Sequence, residues 1–438
     1  MEKKNLFSVM ATAALLLSNS AFFNAQVTVG SDKAPETFSL LELVGGNDKG
    51  LRLPQMTTEQ RDIMADVDFK ASTEAQGLQI FNTTTQCVDT WNGYTWISSC
   101  FCEPPEQPSE ITGKTVAQKG ETGLVYSVDN VEDVSYKWEL PTGWKQTGGG
   151  TSNSITVTAS NDYGPGVITV TPSRSCGKGP SSTYWVSVGC GAYTDTGEWM
   201  VIMCYNLGTA ASVQSMTPDE QALVASAPTP TAAGSTDPTI YGDLYQWGRQ
   251  PDGHQLRNAT VLKVASGGAV ISYTPNSQIP IGNAWYGVYV WFGDPPRDWH
   301  GNSMTDQKDD LWDFSVYPAN NPCPAGWHIP SRAEWSSIAG TNTWQWAPNI
   351  NSSYYAGRLA TPAGFTNPTL FLPAAGLRGG AIGTLTSSGT SGYYWSTTPS
   401  DNSGIGTAYI LSISQSSVNP GNSNNTRSSA MSVRCVAN

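Results

Sequence analysis

Alternation of apolar and polar residues with a period of two constrains the middle of this chain more than any other feature. Four segments between residues 134 and 188 alternate in this way, with Gly- and Pro-rich stretches between them: Val134–Trp138, Ser154–Thr158, Val167–Thr171 and Thr183–Val188. A period of two places alternate side chains on opposite faces of a β-strand. Strands at this density over roughly 80–100 residues predict an immunoglobulin-like β-sandwich with Trp138 in its core.

Composition favours a β-rich, turn-rich fold for the whole chain. Charged residues make up only 13% of the 438 residues, whereas glycine occurs 44 times and proline 28 times. Such a chain is rich in turns and poor in long, solvated helices. The net charge of -12 argues against nucleic acid and anionic lipid as partners, because like charges repel.

The first residues predict export. Lys3 and Lys4 precede the apolar run Leu6–Leu17, and Ala25 precedes the expected cleavage point. This is the organisation of a secretory signal peptide, residues 1–25. The run is too short to cross a bilayer, which takes about 20 residues, and no later stretch is apolar enough for a transmembrane segment. We therefore expect a protein that is secreted, extracellular or associated with the outer-membrane surface.

Eight cysteines, an even number in a chain with a signal peptide, predict disulfide bonds. Spacing suggests three pairs and leaves a fourth: Cys87–Cys100, Cys190–Cys204 and Cys323–Cys435, then Cys102 with Cys176. Eight cysteines allow about 105 full pairings, so most of these assignments stay open. Zinc is the rival interpretation, but the chain has no CxxC motif, and the three histidines lie in no ligand spacing.

Proline-rich and loop-rich stretches divide the mature chain into three parts, residues 26–103, 104–189 and 190–438. A cluster of prolines, from Pro104 to Pro108, marks the first boundary. Capping-box patterns predict three helix starts. They are Thr57–Gln60, Thr217–Glu220 and Ser331–Glu334, the last helix being ended by Gly340.

The first two parts resemble modules of Bacteroidetes surface proteins. Residues 51–61, LRLPQMTTEQR, and 77–96, GLQIFNTTTQCVDTWNGYTW, are similar to a module at the start of such proteins, which in turn looks like parts of phage tail fibres. Residues 135–188, with SYKWELPTGWKQ and CGKGPSSTYWVSV, resemble a PKD-like domain, which usually acts as a spacer. In that family an early cysteine often pairs with the position of Cys176. Here the early strand has none, so Cys176 needs another partner, such as Cys102.

The third part resembles the FISUMP domain, the Fibrobacter succinogenes major paralogous domain. Six phrases occur in the family's order: WMVIMCYNLGT, YGDLYQWGRQPDG, DDLWDFSVYPANNPCPAGWHIPSRAEW, LFLPAAGLRG, GYYWSTT and SVRCVAN. The resemblance covers nearly all of residues 195–438 and implies a surface-associated domain of C-type lectin-like fold. The expected architecture is therefore mainly β: a small N-terminal α+β module, an immunoglobulin-like PKD-like sandwich, and a C-terminal α+β C-type lectin-like domain.

The residues of the third part argue against catalysis. After Glu334 the only carboxylate side chain is Asp401, so the paired carboxylates of acid–base catalysis are missing there. The chain also lacks a Ser-His-Asp arrangement and a GxSxG motif. We predict a protein that is not an enzyme and needs no cofactor or metal.

A calcium-dependent lectin is also disfavoured. The Gln250–Asp252 tripeptide mimics the sugar-specificity motif of that class, but it precedes Cys323 and is better explained as a turn. A calcium site needs six to eight oxygens, usually with several carboxylates. The acidic residues Asp306–Asp313 are another candidate for a cation, although a solvated loop is the simpler interpretation.

Aromatic and asparagine side chains in two loop-like segments near the end are the candidate ligand-binding residues. Aromatic faces and amide hydrogen bonds suit a neutral sugar or a protein epitope. The candidates are Trp344, Trp346, Tyr354, Tyr355, Asn422, Asn424 and Arg427. We expect Trp327, Trp335 and Trp395, which belong to the family phrases, to lie in the core instead.

Two classes of function fit these features. The first is an exported adhesin or ligand-binding display protein, which binds a surface glycan or protein through its C-terminal domain. The alternative is a structural or accessory subunit of a surface fibre or secretion complex, whose partners are the other subunits. A ligand would separate the two.

Overall fold

The structure, a computed structural model, describes residues 27–34, 41–44, 50–64, 73–100, 103–175, 177–224, 235–264, 278–292, 297–300, 308–347, 355–400 and 406–438. The predicted signal peptide lies outside these residues, as do Cys102, Cys176, Tyr354 and Asp306. The chain forms two compact units that meet in sequence between Glu103 and Pro104. No helix of the described part is long and apolar enough to cross a membrane.

The described residues of the N-terminal unit form small β-sheets and one α-helix. In chain order its elements are β1 (Val27–Val29), β2 (Leu41–Leu43), β3 (Gln55–Met56), α1 (Thr58–Met64), a 3-10 turn (Thr73–Ala75), β4 (Gln79–Asn82), β5 (Cys87–Trp91) and β6 (Trp96–Cys100). β1 and β2 pair in parallel, and the other four strands form a sheet in the order β3-β4-β5-β6. Strands β4–β6 form an antiparallel meander.

A buried carboxylate joins the helix to the sheet in this unit. Asp89 is fully buried on β5 and accepts hydrogen bonds from Arg61 of α1, from Asn82 and from Ser98 at 2.6–2.8 Å. Burying a charge without partners is costly, and these three donors offset that cost. The capping box at Thr57 forms as predicted, with Thr57 and Gln60 exchanging side-chain-to-backbone hydrogen bonds.

The second unit begins with a two-sheet sandwich. Its strands are β7 (Val116–Ala117), β8 (Leu124–Ser127), β9 (Ser135–Glu139), β10 (Lys145–Gly148), β11 (Ser154–Thr158), β12 (Gly164–Arg174), β13 (Gly177–Lys178) and β14 (Ser182–Val188). One sheet has the order β10-β11-β8, and the other has β13-β12-β14-β7 with β9 added beside β12. The four strands predicted from the alternating pattern are confirmed. Trp138 is buried between the sheets, as predicted, and its indole donates to the carbonyl of Ser152.

The C-terminal region combines short strands with long connections. Its elements are β15 (Gly191–Tyr193), β16 (Trp199–Val201), a 3-10 turn (Ala211–Val213), α2 (Pro218–Ala222), β17 (Tyr245–Gln246), β18 (Val261–Val264), β19 (Tyr289–Phe292), a 3-10 turn (Pro318–Asn320), β20 (Trp327–His328), α3 (Arg332–Thr341), β21 (Thr343–Ala347), β22 (Gly357–Thr361), β23 (Leu370–Pro373), β24 (Leu377–Arg378), β25 (Leu385–Thr386), β26 (Ser391–Ser400), β27 (Thr407–Ser414), β28 (Val418–Thr426), β29 (Ala430–Met431) and β30 (Val436–Ala437). Its longest strands, β26, β27 and β28, form one antiparallel sheet.

Both predicted helices of this region begin with a complete capping box. Thr217 caps α2 and Ser331 caps α3, each exchanging hydrogen bonds with the glutamate three residues later. The prediction that Gly340 ends α3 is wrong by one residue, because the helix includes Gly340 and ends at Thr341. Asn342 follows the helix and donates from its amide to the carbonyl of Ile338, so it supplies the cap that we assigned to glycine.

Two predicted disulfides are present in this unit. Cys190 is bonded to Cys204, and Cys323 is bonded to Cys435. In the N-terminal unit Cys87 is also disulfide-bonded, and the strand register places it opposite Cys100. The Cys323–Cys435 bond lies in a core that includes Trp395, buried as predicted; Trp335 is buried in a neighbouring cluster, whereas Trp327 is only partly buried.

The sandwich packs directly against the C-terminal region within the second unit. Phe365 contacts Trp185 of the sandwich at 5.7 Å between ring centroids, and its other neighbour is Trp199 at 5.5 Å. The Asn367 amide donates at 3.0 Å to two sandwich hydroxyls, those of Thr115 and Tyr184. Aromatic stacking and buried hydrogen bonds fix the two parts relative to each other, so the sandwich is more than a loose spacer.

Candidate functional site

A cleft of about 810 Å³ opens in the C-terminal region. Its walls come from three stretches of chain: the acidic segment 308–314, the segment from His328 to Glu334 at the start of α3, and residues 397–399 of β26. A bulge between Trp395 and Pro399 interrupts the pairing of β26 with β27 where the strand reaches the cleft. The volume lies in the range of small-molecule sites, roughly 300–1,000 Å³.

An ion pair of His328 and Glu334 lies in one wall. His328 Nε2 is 3.0 Å from Glu334 Oε1, and its Nδ1 is 2.8 Å from the side-chain oxygen of Asn438. The second oxygen of Glu334 accepts the backbone N–H of Ser331 at 2.6 Å, as the capping box requires. The same carboxylate therefore starts α3 and holds the imidazole, which fixes both groups in place.

These contacts shift both pKa values. The hydrogen bond to Glu334 raises the pKa of His328, although burial opposes it. Burial alone would raise the pKa of Glu334, but the hydrogen bonds from His328 and Ser331 outweigh it and lower that pKa. Each partner stabilises the charged form of the other.

Arg427 fixes the acidic wall to the core. Its guanidinium bonds the Asp309 carboxylate and the Lys308 carbonyl, and it lies 4.4 Å from the ring centroid of Trp247. The side chain is 1% exposed. Our prediction that Arg427 contacts a ligand from the surface is therefore wrong. A buried guanidinium must satisfy its donors internally, and Arg427 does so by positioning the residues that line the cleft.

The cleft carries negative charge. Asp309, Asp310, Asp313 and Glu334 line it, against Lys308 and His328. Hydrogen bonds from Ser315 lower the pKa of Asp313, which is therefore ionised. The Asp310 carboxylate has no protein partner in the described part of the chain. Anionic ligands are repelled from such a wall, whereas neutral or cationic ligands are accepted.

Metal binding has no clear place in the described residues. They contain no group of three or more His, Cys, Asp or Glu side chains arranged to hold a metal ion. The cation site considered for Asp306–Asp313 falls partly outside the described residues, since Asp306 is not among them.

Trp344 and Trp346 lie on a strand and not on the loop that we predicted. They belong to β21, where alternate residues share a face, and both are partly buried. The Trp344 indole donates to the carbonyl of Ala339 at 3.1 Å, and the Arg358 guanidinium lies 5.7 Å from the ring centroid of Trp346. Partial burial and these contacts make the two rings less available to a ligand than they would be on an exposed loop.

The other predicted residues are dispersed. Tyr355 is 2% exposed and donates its hydroxyl to Asp237, so its prediction as a surface residue is wrong. Asn422 and Asn424 lie on β28, in the segment that we treated as a loop. Pairing with β27 holds this segment in a strand although its residues have low strand propensity.

The structure does not join these residues into one site. Val418, at the start of β28, packs in the same cluster as Trp344. Arg427 follows the opposite end of that nine-residue strand. At about 3.3 Å per residue the two ends are more than 20 Å apart.

The cleft beside α3 was not predicted from the sequence because its walls come from segments that lie far apart in sequence. Two local signs of it were the capping box at Ser331, with Glu334 facing His328, and the acidic segment that includes Asp309, Asp310 and Asp313.

The fold and the cleft together define a disulfide-bonded, β-rich protein of several domains with a ligand-sized site in its C-terminal region. Residues 203–437 match the Fibrobacter succinogenes major domain family, residues 104–186 the PKD-like domain family, and residues 28–114 the phage tail like trimerisation region family. The first match covers more than half of the chain, so the chain belongs to the Fibrobacter succinogenes major domain family. That membership indicates a surface-associated protein. Among curated proteins, none matches it.

Proposed function

We propose that this chain is an exported, non-catalytic adhesin, which displays a ligand-binding C-terminal domain of C-type lectin-like fold at the cell surface. Family membership supports the surface location. The cleft of about 810 Å³ carries the proposal for binding, because it combines a partly exposed aromatic ring, Phe314, with fixed carboxylates; Trp312 lies buried behind it. Aromatic faces with a few placed polar groups are the usual composition of a ligand site.

Binding without catalysis agrees with the roles of the cleft's ionisable pair. Glu334 accepts hydrogen bonds from Ser331 and His328, and His328 also contacts Asn438. Both groups are engaged in holding α3 and the C-terminal strand in place. Both ring nitrogens of His328 and both oxygens of Glu334 already have a hydrogen-bond partner, so we assign the pair a structural role and not that of a general acid or base.

A glycan array probed with the full chain tests this function. We expect neutral or amino-bearing glycans to bind and sulfated or sialylated glycans not to bind, because the wall is negative. Asp310→Asn and Phe314→Ala should weaken that binding. Glu198→Gln, which removes an exposed carboxylate elsewhere in the unit, should not. Binding that survives both cleft variants would refute the assignment of the cleft.

A second function, a subunit of a surface fibre, is favoured by the N-terminal unit. Val27 pairs with Leu41 and Val29 with Leu43, so four apolar side chains share one face of the β1–β2 sheet. They are 48%, 59%, 54% and 49% exposed, respectively. A two-stranded sheet with an uncovered apolar face is marginal on its own, and parallel strands are usually covered on both faces. We propose that further copies of this chain cover it.

The match of residues 28–114 to a phage tail like trimerisation region supports a trimer. Light scattering of the full chain after size exclusion tests this. We expect three copies for the wild type and dissociation for Leu43→Asp, because a charge in a buried apolar interface is costly. Leu256→Asp, an exposed apolar residue of the second unit at 45%, is the control and should remain a trimer. A monomeric wild type would rule out the fibre function and leave the adhesin function intact.

A further inference from the structure

A second cleft, of about 270 Å³, lies where the sandwich meets the C-terminal region. Gln118 and Tyr163 of the sandwich line it on one side. Tyr205, Gln214 and Trp327 of the C-terminal region line it on the other. Neither part has this cleft alone, and contacts between domains are a common place for ligand sites.

The cleft is held in shape by the contacts around it. Tyr163 meets Trp327 edge to face at 5.8 Å between ring centroids, which joins the two parts at the cleft itself. The aromatic contacts of Phe365 and the Asn367 hydrogen bonds fix the same junction nearby. A ligand would meet a site that needs little ordering on binding, which favours affinity.

Hydrogen-bonding groups without protein partners converge on this cleft. In the described part of the chain, no protein group bonds the hydroxyls of Tyr163 and Tyr205, the indole N–H of Trp327 or the side-chain amide of Gln118. Burial raises the pKa of Tyr163, and the nearby Tyr205 adds to that shift, which places the two phenols in one electrostatic environment. The cleft thus offers rings together with neutral donors and acceptors.

The described residues that line this cleft include no Asp, Glu, Lys, Arg or His. This separates it from the acidic cleft beside α3. A charged ligand would lose its hydration here, and no charged side chain lines this cleft to compensate for that loss. A ligand with many hydroxyls and no charge would avoid that loss of charge hydration.

Tyr163 also lines a third cleft, of about 440 Å³, together with Trp144, Thr142 and Ser160 of the sandwich. The Lys119 ammonium lies 3.7 Å from the centroid of the Tyr163 ring. The phenol, 41% exposed, therefore separates two adjoining clefts. A chain of several sugar units is long enough to contact both.

We propose that the junction of the sandwich and the C-terminal region binds a neutral oligosaccharide, with Tyr163 at the centre of the site. The sugar rings pack on the aromatic side chains, and the hydroxyls bond the phenols, the Trp327 indole and the Gln118 amide. This site is separate from the cleft of the proposed adhesin function and does not depend on it.

Calorimetric titration of the full chain with cellohexaose, xylohexaose, mannohexaose and maltohexaose tests the proposal. We expect at least one to bind, with an affinity that salt at ~1 M leaves unchanged because no charge pair forms. Tyr163→Ala should weaken binding by about tenfold or more. Tyr205→Phe and Tyr163→Phe, which remove only a hydroxyl, should each weaken it by roughly two- to tenfold.

Tyr286→Ala is the matched control, since Tyr286 is 37% exposed and lines none of the three clefts. It should bind like the wild type. The two hydroxyl deletions keep the fold, so they remain informative if Tyr163→Ala lowers stability. The proposal is overturned if none of the four sugars binds at millimolar concentration, or if binding is lost with Asp310→Asn and not with the Tyr163 variants. The second outcome would assign the sugar to the acidic cleft. Binding of an unstructured peptide at Tyr163 in place of every sugar would equally overturn it.

Discussion

Arg434 donates from Nη2 to the backbone carbonyl oxygen of Phe371 over 2.8 Å. The same guanidinium bonds the carbonyl of Met203 and the side-chain oxygen of Asn206, and the residue is 0% exposed. Long connections leave many buried carbonyls without a strand partner, and arginine supplies donors to them. Other buried arginines that donate to carbonyls of this region are Arg249, Arg257, Arg358, Arg378 and Arg427.

Removing Arg434 should therefore destabilise the second unit strongly. Arg434→Met leaves three buried acceptors unpaired, each at about 1–3 kcal/mol, so we expect a loss of at least about 3 kcal/mol in the free energy of unfolding. Urea denaturation measures it. Arg332→Met is the control, because Arg332 is exposed and its one ring contact, with Tyr409, contributes about 1 kcal/mol or less. Equal losses for the two variants would contradict this role.

The two disulfides of the second unit should differ in how much they contribute to the free energy of unfolding. Cys323–Cys435 spans 112 residues and Cys190–Cys204 spans 14. In the chain-entropy account a bond that closes the longer loop restricts the unfolded state more, by about 1.8 kcal/mol at these lengths. We expect the Cys323→Ala/Cys435→Ala double variant to lose roughly 2–5 kcal/mol and the shorter pair to lose less. Denaturation of both double variants compares them, and the reverse order would contradict the prediction.

Stability should depend on pH through His328 and Glu334. The folded pKa of His328 is raised, so its contribution is complete below the unfolded value of 6.5 and is lost as pH rises through the folded pKa. The folded pKa of Glu334 is lowered, so its contribution is present above the unfolded value of 4.5 and is lost as pH falls through the folded pKa. Their joint contribution is largest between those two unfolded values.

Exposure of the pair limits the effect to about 1 kcal/mol or less. His328→Gln should remove the decline of stability above neutral pH and leave the acid limb in place. Melting temperatures at a series of pH values measure both limbs. A His328→Gln curve that parallels the wild type above pH 6.5 would show that the pair is not the cause.

Ionisation of the Asp243 carboxyl group should lower the stability of the fold, whereas ionisation of Glu334 raises it. It is buried, and desolvation raises its pKa from 3.8 to about 6, although Arg257 opposes the shift. A carboxyl group with a raised folded pKa destabilises the fold when it is ionised, so the fold gains stability as pH falls through about 6. Asp243→Asn should raise the melting temperature at pH 8 and have little effect near pH 3.5, below the unfolded pKa of 3.8, because the penalty shrinks gradually between those two pKa values. Glu198→Gln, an exposed carboxylate, should change neither value. Lower stability of Asp243→Asn at pH 8 would mean that the carboxylate makes a net favourable contact.

Local patterns predicted the local parts of this fold. The alternating segment Ser154–Thr158 is a strand with the predicted bounds, and the capping boxes at Thr217 and Ser331 form as predicted. Such features need only residues a few positions apart, and the sequence displays those directly. The two disulfides are pairs that spacing suggested once export was assumed, although the sequence alone left the pairing open.

Contacts between residues far apart in sequence determine the features of the fold that local patterns did not predict. Val418–Thr426 is rich in Asn, Gly and Pro, which disfavour strands, yet it pairs along β27. Arg427 follows it and is buried because the acidic segment before residue 314 folds over it. Neither the pairing nor the ion pair is visible in a local window. The acidic cleft depends on the same long-range contacts, so sequence patterns alone did not predict it.

Substitution of Trp344 tests directly whether this residue lies on a ligand-binding loop, as predicted from the sequence, or is packed on strand β21. On a ligand-binding loop its truncation would weaken binding and hardly change stability. On β21 the ring is partly buried in the cluster that includes Trp335, and its indole bonds the carbonyl of Ala339. Full burial of a tryptophan makes its loss cost about 3–5 kcal/mol, so we expect roughly 2 kcal/mol for Trp344→Ala. Gln345→Ala, the exposed neighbour on the same strand, is the control and should cost less than about 0.5 kcal/mol. Urea denaturation of both variants measures the difference. A Trp344→Ala variant as stable as Gln345→Ala would place the indole back among the ligand-binding candidates.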